Sequence, residues 1–224
     1  MKTKLLITFL LVVNSLSAQK EFWGLANRGG TATGNLGLGY GAIIKTDASG
    51  ANAQMVHVFD SINGMQPNGR LLLASNGKLY GTTYFGGNVQ LNGNTDGVLF
   101  EYDPIGNEFS VVSLFGTGDF PTIRNPKCGV IEALEGQLFG AAGVGIYKHN
   151  LTDEETSLAA LVTVSYTGMN AFPNSINGEL MKASDGYIYG TTKNYSMCPA
   201  SSPYMGCIVR FNPATPTSTN PKMH

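Results

Sequence analysis

The chain has 224 residues, 42% of them hydrophobic, and a formal net charge of −1. Charged residues make up 13%, about half the usual ~25%; such a weak, balanced charge gives no footprint for phosphate and excludes nucleic acid as a partner. Gly supplies 29 positions and Asn 19, a composition that disfavours helices and favours short strands joined by tight turns.

Residues 1–18 read as a secretory signal peptide. Lys2 and Lys4 form a positive start, Leu5–Val13 an apolar run, and Asn14–Ala18 a small, polar cleavage region. The run is too short for a bilayer anchor, and no other stretch approaches ~18 apolar residues, so no membrane span is expected. The expected location is extracellular or on the outer cell surface.

After that segment the chain repeats. One core occurs four times: Phe22-Trp23-Gly24-Leu25-Ala26, Leu79-Tyr80-Gly81-Thr82-Thr83, Leu138-Phe139-Gly140-Ala141-Ala142 and Ile188-Tyr189-Gly190-Thr191-Thr192. Its glycines stand 57, 59 and 50 residues apart. The last three copies follow a hairpin signal, at Asn76-Gly77, Glu135-Gly136 and Asp185-Gly186. A type I′ turn is expected there, and Glu-Gly suits it less well. Before each turn runs another strand, within 70–75, 129–134 and 179–184. After each core come third strands within 41–45, 97–102, 145–148 and 207–211, then fourth strands within 55–59, 109–115 and 160–166. Thr152-Asp153-Glu154-Glu155 resembles a capping box, so at most one helical turn is expected over 152–158.

Four short strands per unit predict an all-β fold: a β-propeller-type array of four-stranded antiparallel blades of about 50–60 residues, longer than WD40 units and close to kelch length. The units fall at about 19–63, 64–118, 119–170 and 171–212. The inventory is three strands, four, four and three, and residues 213–224 read as a Pro/Thr-rich linker or a truncated next strand. Such an array leaves open edges. The expectation is therefore an incomplete array whose missing C-terminal blades belong to the same chain; a four-bladed ring with one incomplete blade, or assembly between chains, are the alternatives. The second strand is expected to be the inner one. Gly24, Gly81, Gly140 and Gly190 would allow close approach near the axis, and Thr82, Thr83, Thr191 and Thr192 would sit near the channel.

The second unit carries a resemblance. Phe59, Gly64, Pro67, Gly69, the run Leu71–Thr83, Gly86-Gly87 and Gly97-Val98-Leu99-Phe100 resemble one unit of the bacterial GloVer-type tandem repeat. That likeness extends over about residues 22–212. The fourth unit keeps Pro173, Gly178, Asp185-Gly186 and Tyr189–Thr192, but replaces Gly-Gly by a Cys-bounded loop. The third departs most, with Ala141-Ala142 for Thr-Thr and almost no loop. The resemblance implies secretion by Bacteroidota and relatives, often with a C-terminal sorting module, and it transfers no catalytic residue.

Chemistry-bearing residues are sparse. Cys198 and Cys207 flank a Pro-containing loop, and an oxidising destination suits a disulfide between them; two unpaired thiols are the alternative. Cys128 is then either a buried free thiol or a residue whose partner lies outside this chain. No C-x-x-C spacing occurs and the His residues do not cluster with Cys, so no zinc site is expected. No cofactor is expected beyond a weak calcium candidate: Asn92, Asn94 and Asp96 partly match a calcium loop, although Asn replaces its first Asp. Asp96, Asp103 and Asp185 also read as turn formers. No G-x-S-x-G occurs and no Ser-His-Asp set can be read. Trp23, Tyr84, Phe85, Tyr195 and Tyr204 flank the cores, where loops would converge into a binding face.

The functional expectation is a non-catalytic binding or interaction scaffold for a glycan or protein ligand. The alternatives are a propeller enzyme of polysaccharide lyase or quinone-dependent dehydrogenase type, or a purely structural segment of a larger surface protein. An enzyme would need clustered His, Arg and acids facing the channel.

Overall fold

The computed structural model describes residues 21–30, 38–87, 96–117, 123–143, 145–161, 165–166, 169–170, 175–192, 208–215 and 222–223. Residues 1–18 and Asn92, Asn94, Tyr195, Cys198, Tyr204 and Cys207 lie outside them. The described residues contain strands and turns but no helix.

Sheet 1 has three strands: β1 (Glu21–Ala26), β2 (Ala42–Asp47) and β3 (Gln54–Val58). Sheet 2 runs β4 (Met65–Leu73), β5 (Leu79–Phe85), β6 (Val98–Asp103) and β7 (Glu108–Leu114). Sheet 3 runs β8 (Ile131–Leu134), β9 (Gln137–Ala142), β10 (Gly145–Asn150) and β11 (Thr156–Leu161). A short hairpin of β12 (Ser165–Tyr166) and β13 (Met169–Asn170) follows. Sheet 4 contains β14 (Met181–Lys182), β15 (Ile188–Thr191), β16 (Ile208–Phe211) and β17 (Lys222–Met223). Each sheet is an antiparallel meander in chain order, the arrangement of β-propeller blades.

Two strand expectations are corrected. The fourth unit has four strands, because Lys222 and Met223 in the Pro/Thr-rich tail pair with Arg210 and Val209. No helical turn forms over 152–158. Asn150 and Asp153 instead accept hydrogen bonds from the Thr152 and Glu155 amides, and Glu154 takes a φ of 57° that ends any helix. The fourth strand of the third unit therefore starts early, at Thr156, and Ser165–Tyr166 pairs separately with Met169–Asn170.

The hairpins are not type I′. Gly77 and Gly186 have positive φ, but Asn76, Glu135 and Asp185 do not. Gly77 N donates to Ala74 O at 2.9 Å, and Ala74 N to Lys78 O at 2.9 Å. This is a type I turn followed by a left-handed glycine. The position before the glycine needs only ordinary helical angles, so Glu135 fits as well as Asn or Asp.

Alternation along the strands gives every sheet two apolar faces. Leu79, Val98 and Phe100 of sheet 2 pack with Ile43, Trp23 and Leu25 of sheet 1. From its other face, Tyr80 and Leu99 pack with Leu138 and Tyr147 of sheet 3. Phe139 and Ile146 of sheet 3 likewise meet Ile188 and Val209 of sheet 4. The core is thus three layers between four successive sheets.

The inner edge belongs to the first strands. A Cβ on Gly69 of β4 would overlap the Gly129 amide nitrogen just before β8. The Gly129 amide in turn donates to the Glu179 carboxylate, 3.2 Å away, just before β14. The expectation that the second strand is innermost is therefore corrected: β5, β9 and β15 lie inside their sheets, with β4, β8 and β14 on the flank that meets the next sheet. Gly81, Gly140 and Gly190 have another reason to lack a side chain. A Cβ on Gly81 would strike the Phe100 ring, with Cε1 at 3.0 Å; on Gly140 it would strike Tyr147, with Cε1 at 2.8 Å; on Gly190 it would lie 2.9 Å from Leu180 Cδ2. Phe100 and Tyr147 are the cross-strand partners of their glycines, so each ring lies over the gap its glycine leaves.

Candidate functional site

Two of the aromatics named above form one rigid unit. Tyr84 and Phe85 end β5, half-buried, with ring centroids 4.4 Å apart at 87°. The Asn125 side-chain amide donates to Tyr84 O at 3.0 Å, and Thr83 Oγ1 donates to Phe85 O at 2.7 Å. Arg124 lies next in sequence and pairs with Asp96 at 3.7 Å. The pair therefore sits where sheet 2 meets the segment leading into sheet 3, fixed through its backbone. Trp23 is elsewhere: it lies within β1, tilted against Tyr102 at 5.8 Å, with the Lys45 ammonium 5.6 Å from its ring centre. It is a packing residue between sheets, not a loop aromatic.

Asp96, the one calcium candidate within the described residues, faces the Arg124 guanidinium, so a cation already neutralises its carboxylate. Among the described residues no group of three or more His, Cys, Asp or Glu could hold a metal ion. Asp103 and Asp185 do form turns. Asp103 accepts from the Ile105 and Gly106 amides; Asp185 accepts from the Tyr187 amide and the Tyr189 hydroxyl. Asp96 stands just before β6. Cys128 is a buried free thiol, whose Sγ–H donates to Ala141 O at 3.6 Å. Burial pushes its pKa up to about 12, so it stays protonated and inert.

Sequence reasoning missed two clusters. The first lies between sheets 2 and 3. Tyr80 OH donates to Glu101 Oε2 at 2.8 Å, the Lys78 ammonium to Glu101 Oε1 at 2.7 Å, and the Asn76 amide to Tyr80 OH at 2.9 Å. Beside them, Glu101, His149, Glu154 and Ser110 line a crevice of about 180 Å³. His149 Nδ1 is 3.0 Å from Thr156 Oγ1. The Tyr80–Glu101 pair could have been found only from register, because β5 and β6 set Tyr80 opposite Glu101.

The second is the inner edge. Arg70 and Glu179 are exposed there, flanking Gly129: Glu179 accepts from its amide, and a Cβ on Gly129 would reach 3.0 Å from Arg70 N. Arg70 directly follows Gly69 of β4 and Glu179 follows Gly178, just before β14, and that spacing was the available signal. Two of the threonines expected near the channel, Thr82 and Thr83, are structural. Thr82 Oγ1 donates to Cys128 O of the next unit at 2.9 Å, and Thr83 Oγ1 accepts from the Val98 amide at 3.2 Å. Thr191 is exposed.

His57 and His149 make stability pH-dependent. His57 stacks on Phe109 at 3.7 Å and 4°, and its Nε2 is buried without a hydrogen-bond partner. Burial lowers its pKa below 6.5, against an opposing pull from Asp60. Burial also lowers that of His149, against Glu101, Glu154 and Asp153. Between the folded value and the ordinary one the unfolded chain binds more protons, so stability is full above pH ~6.5 and falls as pH drops below it. A second loss is expected below pH ~4, as Asp47, held low by Ser49 and Asn52, and Asp103, held low by the Gly106 and Ile105 amides, take up protons. Thermal melts from pH 8 to 5 should show the first slope, and His57→Phe with His149→Asn should flatten it. A double variant with an unchanged slope would remove the histidines as its source.

No known family profile matches the chain, and no curated protein does. Solved structures do. The chain is similar to a protein of unknown function from Dyadobacter fermentans, 11% identical over 81% of this chain and 57% of that one, with a TM-score of 0.51. It also aligns with TolB from Acinetobacter baumannii, 17% identical over 81% of this chain and 39% of that one, at 0.44. A putative gluconolactonase aligns at 14% identity over 77% of this chain and 53% of that one, at 0.41. The chain thus spans 39% to 57% of these structures, and at these identities the likeness concerns the fold alone.

Proposed function

We propose that the chain is a secreted or cell-surface, non-catalytic β-propeller-type scaffold of the GloVer repeat kind, binding a glycan or protein ligand on the loop side of its blades. One observation carries the reading. Tyr84 and Phe85 form a perpendicular, half-buried pair whose backbone carbonyls are held by Asn125 and Thr83. Aromatic surface fixed in advance loses little entropy when a sugar ring or peptide side chain settles on it. Among the described residues, the thiol and both imidazoles are absorbed into packing instead: Cys128 is sealed, His57 is stacked, and His149 is tied to Thr156. The purified chain is expected to bind on arrays of plant and algal oligosaccharides or surface peptides. Tyr84→Ala with Phe85→Ala should weaken that binding at least ~10-fold, or ~1.4 kcal/mol, without changing the fold. Unchanged affinity in that variant would move the ligand face elsewhere.

The inner edge favours one competing reading. Arg70 on β4 and Glu179 just before β14 put a cation and an acid at that edge, where an enzyme of polysaccharide lyase or quinone-dependent dehydrogenase type would need them. Polysaccharide turnover that disappears in Glu179→Gln but survives Tyr84→Ala would replace the first reading with this one.

A further inference from the structure

Every internal junction in this array uses the same register positions. On the trailing face of a sheet, Leu99 and Ile146 are equivalent: they pair with Thr82 and Ala141 of the core strand, and each is buried against the following sheet. The equivalent in sheet 4 is Ile208, paired with Thr191. It is 49% exposed, and Met181, the counterpart of Leu72, is 59% exposed. On the leading face, Leu79 and Leu138 are buried against the preceding sheet. Their counterpart in sheet 1 is Phe22, which is 60% exposed, next to Met55 at 54%. A Cβ on Gly24 meets nothing within 4 Å, whereas Gly81 and Gly140 are crowded.

From this we infer that the bare trailing face of sheet 4 is covered by the bare leading face of sheet 1 of a second copy of this chain. The two faces do not cover each other within one chain, since both stay exposed. They are also the two different halves of a junction built three times already, so trailing meets leading as it does between sheets 1 and 2, 2 and 3, and 3 and 4. Contacts of this head-to-tail kind close a ring when the rotation permits. Two copies of four sheets give eight, within the four-to-eight range of propeller rings, and three copies would exceed it. Burial of four large apolar side chains at each of two junctions supplies the driving force.

Sedimentation equilibrium of the purified chain tests this. The expected mass is twice that of the chain. Ile208→Lys and Phe22→Glu should each give the single-chain mass. Mixed in equal amounts, they should regain the double mass, because one junction of the mixed dimer is unaltered and the other opposes the two new charges. Should Ile208→Lys lose its strand signature in circular dichroism, Met181→Lys takes its place. A wild-type chain that stays single at all concentrations overturns the inference and leaves the faces to further units of a longer chain; so does a dimer that persists in both variants.

Discussion

A Gly69→Ala chain should be less stable than the wild type by ~3 kcal/mol, combining ~1–2 for a left-handed alanine with ~1–3 for overpacking. Its melting temperature should fall by ~6–12 °C for a domain of this size. Gly69 has a φ of 76°, and its added Cβ would overlap Gly129 N and lie 2.6 Å from Cys128 C. Those are backbone atoms of the next unit and cannot rotate away. Two other glycines separate the contributions. Gly77, with a φ of 82° and nothing within 4 Å of its Cβ, feels the conformational strain alone; Gly24 has neither strain nor contact. Alanine should therefore cost ~1 kcal/mol at Gly77 and nothing measurable at Gly24. Urea unfolding of the three variants gives the order directly. If Gly69→Ala were no worse than Gly77→Ala, the first strands would not meet as closely as the structure places them.

This gradient also explains what the sequence could and could not disclose. Hairpins and faces were legible because their signals are local. The glycine of each hairpin marks a fixed backbone state, and the period of two along Leu79–Thr83 or Val98–Tyr102 assigns each side chain to a side. The inner edge was not legible. The first strand of unit two reads as an ordinary apolar run from Arg70, whereas its inward part, Pro67-Asn68-Gly69, looks like a linker. Only the packing of Gly69 on Gly129 shows which strand lies inward. The same reading places Thr82, Thr83, Thr191 and Thr192 near the channel, whereas Arg70 and Glu179 occupy the inner edge. The Tyr80–Glu101–Lys78 cluster was hidden for a different reason. Its members lie 21 and 23 residues apart, and only strand register brings them together.

The recurring core glycine was visible in sequence but misread, and its partner ring supplies the second large prediction. Phe100 is fully buried, edge-on to Phe59 at 5.2 Å and stacked near Phe109 at 5.6 Å. Truncating it to alanine should cost ~3–5 kcal/mol through lost burial and a residual cavity. Gly81→Ala alone should cost ~1–3 kcal/mol, because its methyl meets the Phe100 ring and, at 3.1 Å, Leu71 Cδ2. The two effects share one space and should not add. In the Phe100→Ala background the ring is gone, so the Gly81 methyl enters the vacated volume and costs little or restores some stability. The double-mutant cycle should therefore show a coupling of ~1–3 kcal/mol. Urea unfolding of the four chains measures it, and strict additivity would mean that the glycine is kept for some reason other than the ring. In sheet 4 the ring is absent: Gly190 faces Val209 across the ladder, and Leu180 Cδ2 takes up the space 2.9 Å from its Cβ. A flexible leucine can yield where a sandwiched ring cannot. Gly190→Ala should therefore be the mildest change at this position among sheets 2, 3 and 4, which ties the severity of each core glycine to the side chain that lies over it.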